Sequence, residues 1–369
     1  SGDARATAGA RASPETSSGG ALYIVAGAPY RCGSRSQAIR FRIRSVMTFP
    51  LPLQRVAACT AAGFFCVTGA FAAFPEKPIR MIVISSAGGS TDMVARATAR
   101  ALGEGLGQTV VLDNRPGGGG VIAADLTAKA RADGYTILMA NTAHTVQPSL
   151  HAKLPYDAVK DFAPVSLVAL THSVLLVHPS LPVKSVRELV DYAKANPGKL
   201  NYSSGTNGSS AHIGGELLKL MGGIDLVRVP YKGTAENLNA LLANEVQVSF
   251  VTLPAALPLL SAGRLRAIGI GGPRRATRLP DVPTVAETLP GYDIGTWHGV
   301  LAPAGTPAAI VARMSAELAK MAKNPETREQ AAAQGLELVG STPQELDSYI
   351  RNQMARFARI VKNTGMRVE

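Results

Sequence analysis

The chain has 369 residues, of which 46% are hydrophobic and only 17% charged, so its composition is that of a folded protein with a sizeable core. Its formal charge of +12 is unevenly spread, because residues 1–72 hold eight arginines against Asp3 and Glu15. The later residues contain no dense basic patch with interleaved aromatic side chains, which argues against nucleic-acid binding. All three cysteines precede residue 73, so the later residues cannot form a disulfide or a thiolate metal site.

An export signal begins inside the chain, at Met47. Arg55 ends a short basic segment, and Val56 to Gly69 form an uncharged apolar run that is short for a membrane span. The small residues of Ala70-Phe71-Ala72 follow it, as expected before a cleavage site. The alternative for the apolar run is a buried core helix.

We therefore predict a signal peptide at residues 47–72, cleavage after Ala72 and a periplasmic location. Residues 1–46 are rich in Ala, Gly, Ser and Arg and show no clear period. We expect them to be either a non-native segment, from a start codon placed too far upstream of Met47, or a disordered extension.

Short β-rich runs alternate with helical stretches after Pro78, which predicts α/β units with parallel sheets. In the first unit, strands are predicted at Ile79–Ile84, Thr109–Leu112 and Tyr135–Ala140, and helices at Asp92–Leu106 and Val121–Arg131. In the second unit, strands are predicted at Leu200–Ser204, Leu226–Val229, Val246–Val251 and Leu265–Ile270, and helices at Ser210–Met221 and Ala235–Ala243.

Two extended segments are expected to connect these units. The long apolar run Phe162–His178 could cross from the first unit to the second, and Gly295–Ala302 could cross back. The C-terminal helices predicted at Ala308–Lys323 and Pro343–Asn363 would then close the first unit.

Three corners of similar composition each end a predicted strand and open a helix. They read VISSAGGSTD at Val83–Asp92, YSSGTNGSS at Tyr202–Ser210 and PYKGT at Pro230–Thr234. The first N–H groups of a helix have no internal partner, the helix dipole is positive there, and glycine permits close approach. The corners therefore suit a carboxylate or a phosphate, although such sequences also occur as simple helix caps.

Signals for catalysis and cofactors are absent from the sequence. There is no GxxxxGK[ST] loop, no GxGxxG after the first strand, no GxSxG elbow and no HExxH pair. Asp92 is expected to complement the dipole of the first helix. We predict no catalytic residue, no cofactor and no metal.

Several motifs, in this order, resemble the Bug-type family of periplasmic substrate-binding proteins of tripartite tricarboxylate transporters. They include IRMIVISSAGGSTDMVAR, VVLDNRPGGGG, LNYSSGTNGSSAHIGGELLK, VPYKGTAENLNALLANEVQVSF and LPDVPTVAETLPGYDIGTWHGVLAPAGTP, and the resemblance runs from about Phe74 to the C-terminus. It implies an α/β type II periplasmic binding protein fold (a Venus flytrap) with two α/β lobes joined by two crossing strands. It also implies a small organic carboxylate in the cleft between the lobes.

The resemblance implies ligand-binding residues in both lobes. In lobe 1 they are Ser85, Gly88, Gly89, Ser90, Thr91, Asp92, Asn141, Thr142 and His144. In lobe 2 they are Ser204, Asn207, Gly208, Ser209, Tyr231, Lys232, Gly233 and Thr252.

The chain departs from the family pattern at three places. Ile84-Ser85-Ser86-Ala87 stands where the family usually has proline, an aromatic residue and two prolines. Thr206 stands where a glycine is usual, and Val251 where an aspartate is frequent. Inheritance of a particular family substrate therefore does not follow.

These observations predict a periplasmic, monomeric, non-enzymatic protein that captures a small organic carboxylate for two integral membrane transporter subunits. The expected lobes are residues 73–172 with 297–369, and residues 173–296. The alternatives are a binding protein that docks to a membrane receptor as a sensor, and an α/β enzyme acting on an anionic substrate.

Overall fold

The computed structural model describes residues 74–367. The predicted signal peptide, its cleavage site and the N-terminal extension lie outside the described residues. Within the described part, no helix has the length and apolar character needed to span a membrane.

Ten strands and ten α-helices make up the described part of the chain. The strands are β1 Ile79–Val83, β2 Val110–Asn114, β3 Thr136–Asn141, β4 Phe162–Val177, β5 Asn201–Ser204, β6 Val227–Pro230, β7 Val248–Thr252, β8 Arg266–Ile270, β9 Gly295–Pro303 and β10 Leu336–Leu338. The helices are α1 Ser90–Leu106, α2 Val121–Ala128, α3 Thr142–Leu150, α4 Val186–Ala195, α5 Ser210–Gly222, α6 Thr234–Leu242, α7 Leu253–Ser261, α8 Ala308–Lys323, α9 Pro325–Ala333 and α10 Pro343–Thr364.

The first group of strands is arranged around β1. We call these strands and the helices packed on them lobe 1. Strand β1 pairs in parallel with β2 and β3, and β3 pairs antiparallel with β9. The first part of β4 pairs antiparallel with β9, and β10 pairs with β4 at Ala169–Thr171. Both faces are covered by apolar side chains, with α1 and α8 on one face and α2 and the start of α10 on the other.

The second group, lobe 2, repeats this arrangement around β5. Strand β5 pairs in parallel with β6 and β7, and the last part of β4 pairs antiparallel with β7 and β8. One face carries α4 and α5, and the other carries α6 and α7. Because parallel strands end at the same edge, the loops after β5, β6 and β7 lie at one edge of lobe 2.

Strand β4 is the physical link between the lobes. Its residues up to His172 pair with β9 in lobe 1, and from Ser173 onward it pairs with β7 and β8 in lobe 2. Strand β9 leads the chain back and runs between β3 and β4. The two predicted α/β units and the predicted crossing segments are thereby confirmed.

The C-terminal helix α10 contacts both lobes. Leu346 and Ile350 pack into a lobe 1 core, whereas Phe357 and Val361 pack into a core of lobe 2. Helix α10 therefore braces the junction as well as closing lobe 1.

Candidate functional site

The first corner, between β1 and α1, is held by Asp92. Its carboxylate accepts from Gly88 N–H at 3.1 Å, Asn114 Nδ2 at 3.0 Å and Arg96 Nε at 2.9 Å. Asn114 Nδ2 also donates to the Ser85 carbonyl at 3.0 Å. Gly88 has φ +83°, a conformation that favours glycine.

These bonds fix the charge state of Asp92 and occupy its oxygens. Burial opposes ionisation, but the hydrogen bonds from Gly88, Arg96 and Asn114 outweigh it, and the pKa of Asp92 lies below its ordinary value. Asp92 is therefore an ionised brace of the corner, with its oxygens already engaged by the protein.

The first backbone N–H groups of helix α1 have no side-chain cap. Its N-cap residue is Gly89, and no side chain bonds to the first-turn N–H groups. Ser90 and Thr91 are buried at this end, and Thr91 Oγ1 accepts from Asn141 Nδ2 at 3.0 Å. The corner thus presents backbone donors in a buried setting, where an anion can satisfy them.

Lobe 2 presents two further helix starts without a side-chain cap, of which the first turn of α6 is partly exposed. Gly233 is the N-cap of α6 and Thr252 is the N-cap of α7, and neither helix has a side-chain cap. The Thr252 hydroxyl is buried without a hydrogen-bond partner in the described part of the chain. By contrast, Ser185 and Thr342 cap α4 and α10 away from the corners.

Helices α2 and α8 also begin without a side-chain cap, but they begin at other places in the fold. Helix α2 begins after Gly120, in the glycine loop of lobe 1, and α8 begins after Pro307 on the exposed surface. Water can satisfy the α8 donors, whereas the buried start of α1 requires another partner.

The corner after β5 is organised by two side chains that the motif did not single out. Arg228 Nε donates to Ser204 Oγ at 2.7 Å, and Gly208 N–H donates to His212 Nδ1 at 3.2 Å. Burial, together with the charges of Arg228 and Lys219, lowers the pKa of His212 to about 3, so its ring is a neutral acceptor. Ser209 Oγ accepts from His212 N–H and caps α5.

At the corner after β6, two residues contact nearby glutamate side chains. Tyr231 OH lies 3.5 Å from Glu245 Oε2, and Lys232 N–H donates to Glu236 Oε2 at 2.8 Å. The Lys232 side chain is exposed. At this corner the backbone around Gly233, rather than the Tyr231 ring, is placed toward lobe 1.

The corners of the two lobes touch on two sides of the cleft. On one side, a Cβ added to Gly233 would lie 3.2 Å from Ser86 Oγ. On the other side, Gln147 Nε2 of α3 donates to the Gly119 carbonyl of lobe 1 and the Asn207 carbonyl of lobe 2, both at 3.0 Å. The structure is therefore a closed arrangement of the lobes, and Gln147, which the motifs did not indicate, joins them.

The remaining predicted lobe 1 residues have different positions. Asn141 caps α3 and bonds to Thr91, so it belongs to the first corner. Thr142 Oγ1 donates to the Gly295 carbonyl at 3.3 Å and accepts from Trp297 N–H, which ties α3 to β9.

His144 is not brought together with the other predicted residues. It is fully buried, its Nε2 lies 2.9 Å from the Ala158 carbonyl, and its ring packs edge-on against Phe162. Burial lowers the pKa of His144 to about 4, so the ring is a neutral part of the lobe 1 core.

The described residues contain no group of three or more His, Cys, Asp or Glu side chains that could hold a metal ion. The donors available at the corners are backbone N–H groups and hydroxyls, which suit the oxygens of an anion. Fold and corners together define a two-lobed protein of the solute-binding class.

The comparison with known families agrees with this class. The family described as "Tripartite tricarboxylate transporter family receptor" matches residues 94–366. Protein BugT of Bordetella pertussis (strain Tohama I) is 37% identical over 316 residues, which cover 83% of this chain and 97% of BugT. The chain belongs to the tripartite tricarboxylate transporter receptor family, whose members are periplasmic solute-binding proteins.

Solved structures show the same fold. Rpa4515 of R. palustris, solved with adipate, has a TM-score of 0.77 at 36% identity and covers 80% of this chain and 99% of its own. MatC from Rhodopseudomonas palustris with bound malate has a TM-score of 0.74 at 31% identity, with coverages of 78% and 100%. The periplasmic binding protein BugD has a TM-score of 0.75 at 31% identity, with coverages of 80% and 100%.

The brace role of Asp92 predicts a pH-dependent loss of stability in Asp92→Asn. The variant should lower the free energy of unfolding by about 2 kcal/mol at neutral pH, because a buried charge-assisted network is lost. Since folding depresses the pKa of Asp92, its contribution is complete above the ordinary value of 3.8 and disappears as the pH falls through the folded value.

Urea unfolding of both proteins at neutral pH and at about pH 3 measures this difference, which should shrink at the lower pH. Asp347→Asn is the matched control, since it breaks an exposed ion pair with Arg351 at 2.8 Å and should change stability little. A difference that stays constant with pH, or that the control reproduces, would contradict the brace role.

Proposed function

We propose that this chain captures a small dicarboxylate without an ammonium group in the cleft between its lobes, as a non-enzymatic transport receptor. The observation that carries the proposal is the close approach of the loop before α1 to the N-cap of α6. Both helices begin at a glycine with no side-chain cap, and their corners touch at Ser86 and Gly233. One carboxylate at each helix start would satisfy donors from both lobes.

The charges around the cleft support a ligand with no positive group. A buried ammonium needs a paired acceptor. The Asp92 oxygens are already engaged by Gly88, Arg96 and Asn114. Val251, at the position where the family often has aspartate, is packed in the apolar core with Val174 and Leu253, and its neighbour Thr252 offers a hydroxyl.

The relatives support the same ligand class. Rpa4515 was solved with adipate and MatC with malate, and both ligands are dicarboxylates. Two carboxylates separated by a short carbon chain match two helix starts that face each other from different lobes.

Membership of a transporter receptor family supports delivery of the ligand to integral membrane subunits. A sensor that docks to a membrane receptor would use the same cleft, so it is the second candidate function. An enzyme is the weakest alternative, because the described corners contain no base positioned beside a nucleophile and no metal cluster.

We further propose the lobe boundaries at residues 73–172 with 297–369 and at residues 173–296, supported by the change of partners of β4 after His172.

We also propose a monomer that is exported and cleaved after Ala72. N-terminal sequencing of the exported protein should find Ala73 first, and a mature protein that retains residues 1–46 would contradict this.

Ligand selection tests the proposed function. Ligand-stripped protein should bind succinate more tightly than aspartate, and glutarate more tightly than glutamate, by about tenfold or more in calorimetry.

Thr252→Asp should weaken dicarboxylate binding by about tenfold, because it adds a negative charge at a cleft corner. Thr252→Asn is its control, since it offers a similar cap without the charge.

Two results would refute the proposal. One is tighter binding of both amino acids than of their deaminated analogues. The other is equal dicarboxylate affinity in Thr252→Asp and Thr252→Asn.

The contact through Gln147 predicts that closure depends on Gly119. In Gly119→Ala the added Cβ would lie 2.6 Å from the Asn207 carbonyl and would also meet Gln147 Nε2, so the lobes cannot close fully. Dicarboxylate affinity should fall by about tenfold or more, and the radius of gyration at saturating ligand should increase.

Gly118→Ala is the matched control for Gly119→Ala. Gly118 also has positive φ and lies in the same loop, but a Cβ there would meet only Val121, at 3.4 Å. It should therefore share the backbone strain and retain affinity within about threefold. Equal losses of affinity in the two variants would show that strain, and not lobe contact, is responsible.

A further inference from the structure

A cavity of about 470 Å³ lies at the junction of the lobes, and Leu253, the first residue of α7, is part of its lining. One wall is the loop after β8, with Arg274, Arg275 and Arg278. The other wall is the α9–β10 segment, with Arg328 and Glu337, and His172 of the crossing strand also lines the cavity. No residue of the predicted ligand-binding set lines it.

The charges at this cavity are incompletely compensated. Arg275 pairs with Glu287 at 2.7 Å, and Arg274 lies 3.6 Å from Glu337. Arg278 and Arg328 form no ion pair within residues 74–367, although Glu329 also lines the cavity. Four guanidinium groups and two carboxylates line the cavity, Glu287 and Asp281 lie beside Arg275, and Arg278 and Arg328 are the two cations that form no ion pair in the described residues.

Part of this arrangement is held in place by the backbone. Arg275 Nη1 donates to the Pro280 carbonyl at 3.1 Å, and Arg328 Nη1 donates to the Ala322 carbonyl at 3.1 Å. All four arginines are exposed, so water screens much of the repulsion between them, and an anion held between Arg278 and Arg328 would remove the remainder. A fixed guanidinium also binds carboxylate or phosphate groups through two parallel hydrogen bonds.

We propose that this cavity is a second binding site, which takes a small oxyanion with two or more negative charges, such as a polyphosphate or a polycarboxylate. The volume falls in the range of small-molecule sites, about 300–1,000 Å³. Arg278 on the lobe 2 side and Arg328 on the lobe 1 side supply the unpaired charges. The proposed site is separate from the α1 and α6 corners, although Leu253 at the start of α7 also lines it.

Occupancy of this site is coupled to the closure of the lobes. Its two walls belong to different lobes, and the ion pair of Arg274 with Glu337 already joins them. An anion between Arg278 and Arg328 favours the closed arrangement in which both line the cavity. By linkage it raises the affinity of the cleft for its dicarboxylate, and the dicarboxylate raises its affinity by the same factor.

Pyrophosphate is the probe for this site, titrated by calorimetry into the full chain at low ionic strength with the cleft saturated by dicarboxylate. We expect binding of one pyrophosphate per chain. In Arg278→Ala/Arg328→Ala its affinity should fall about tenfold or more. The control Arg187→Ala/Arg359→Ala removes two exposed arginines elsewhere and should stay within about twofold.

Three outcomes would overturn the proposal: no pyrophosphate binding, an equal loss in the control, or displacement of pyrophosphate by the dicarboxylate, which would place it in the cleft. If circular dichroism shows that the double variant is unfolded, the single variants Arg278→Gln and Arg328→Gln replace it. Dicarboxylate affinity measured without pyrophosphate tests the proposed function separately, so failure of one proposal is distinguishable from failure of the other.

Discussion

Backbone N–H groups at the start of a buried helix must find an acceptor, and the architecture of this protein depends on that constraint. At α1, the acidic side chain of the first turn is directed back to Gly88 and Arg96, while Gly89 gives the helix no cap. At α6, Gly233 likewise leaves the first turn without a cap. A side-chain oxygen at either position would compete with the ligand for these donors. In the proposed site, a glycine at each corner keeps these donors available to the ligand, at the expense of local helix stability.

In the proposed site each lobe supplies only part of the donors, so closure of the lobes would complete it. Strand β4 is continuous through both sheets, and α10 packs against a core of each lobe, so the two halves stay connected while the corners move. The contacts between the lobes are both polar and apolar. Gln147 bridges two carbonyls and Ser86 lies beside Gly233, while Val146 and Leu150 of α3 pack into the core of lobe 2.

The sequence was sufficient for most of the fold and for the location of the corners. Strands such as Ile79–Val83 are apolar runs bounded by turn residues, and Phe162–Val177 is too long for one sheet, so both were predictable from pattern. Helix α3 escaped prediction because it contains Pro148 and follows its strand without a loop, and α7 because it contains Pro254 and Pro258.

The roles of individual side chains were less predictable, because they depend on contacts distant in sequence. Gln147 gains its importance from Gly119 and Asn207, which are 28 and 60 residues away. His144 was predicted to contact the ligand because its side chain is polar. In the structure its ring packs against Tyr156 and Phe162 in the core. A sequence motif indicates which residues lie near the cleft. Which of their side chains face the cleft depends on the packing of the whole fold.

In the proposed complex, one carboxylate of the ligand lies at the start of α1 and the other at a helix start of lobe 2. A crystal structure of the protein with its tightest-binding dicarboxylate tests this most directly. We predict carboxylate oxygens within about 3 Å of first-turn N–H groups of α1 and, at the other end, of N–H groups at Gly233–Thr234 or Thr252–Leu253. A ligand held by one lobe alone, or by side chains without any helix-start N–H group, would contradict the account.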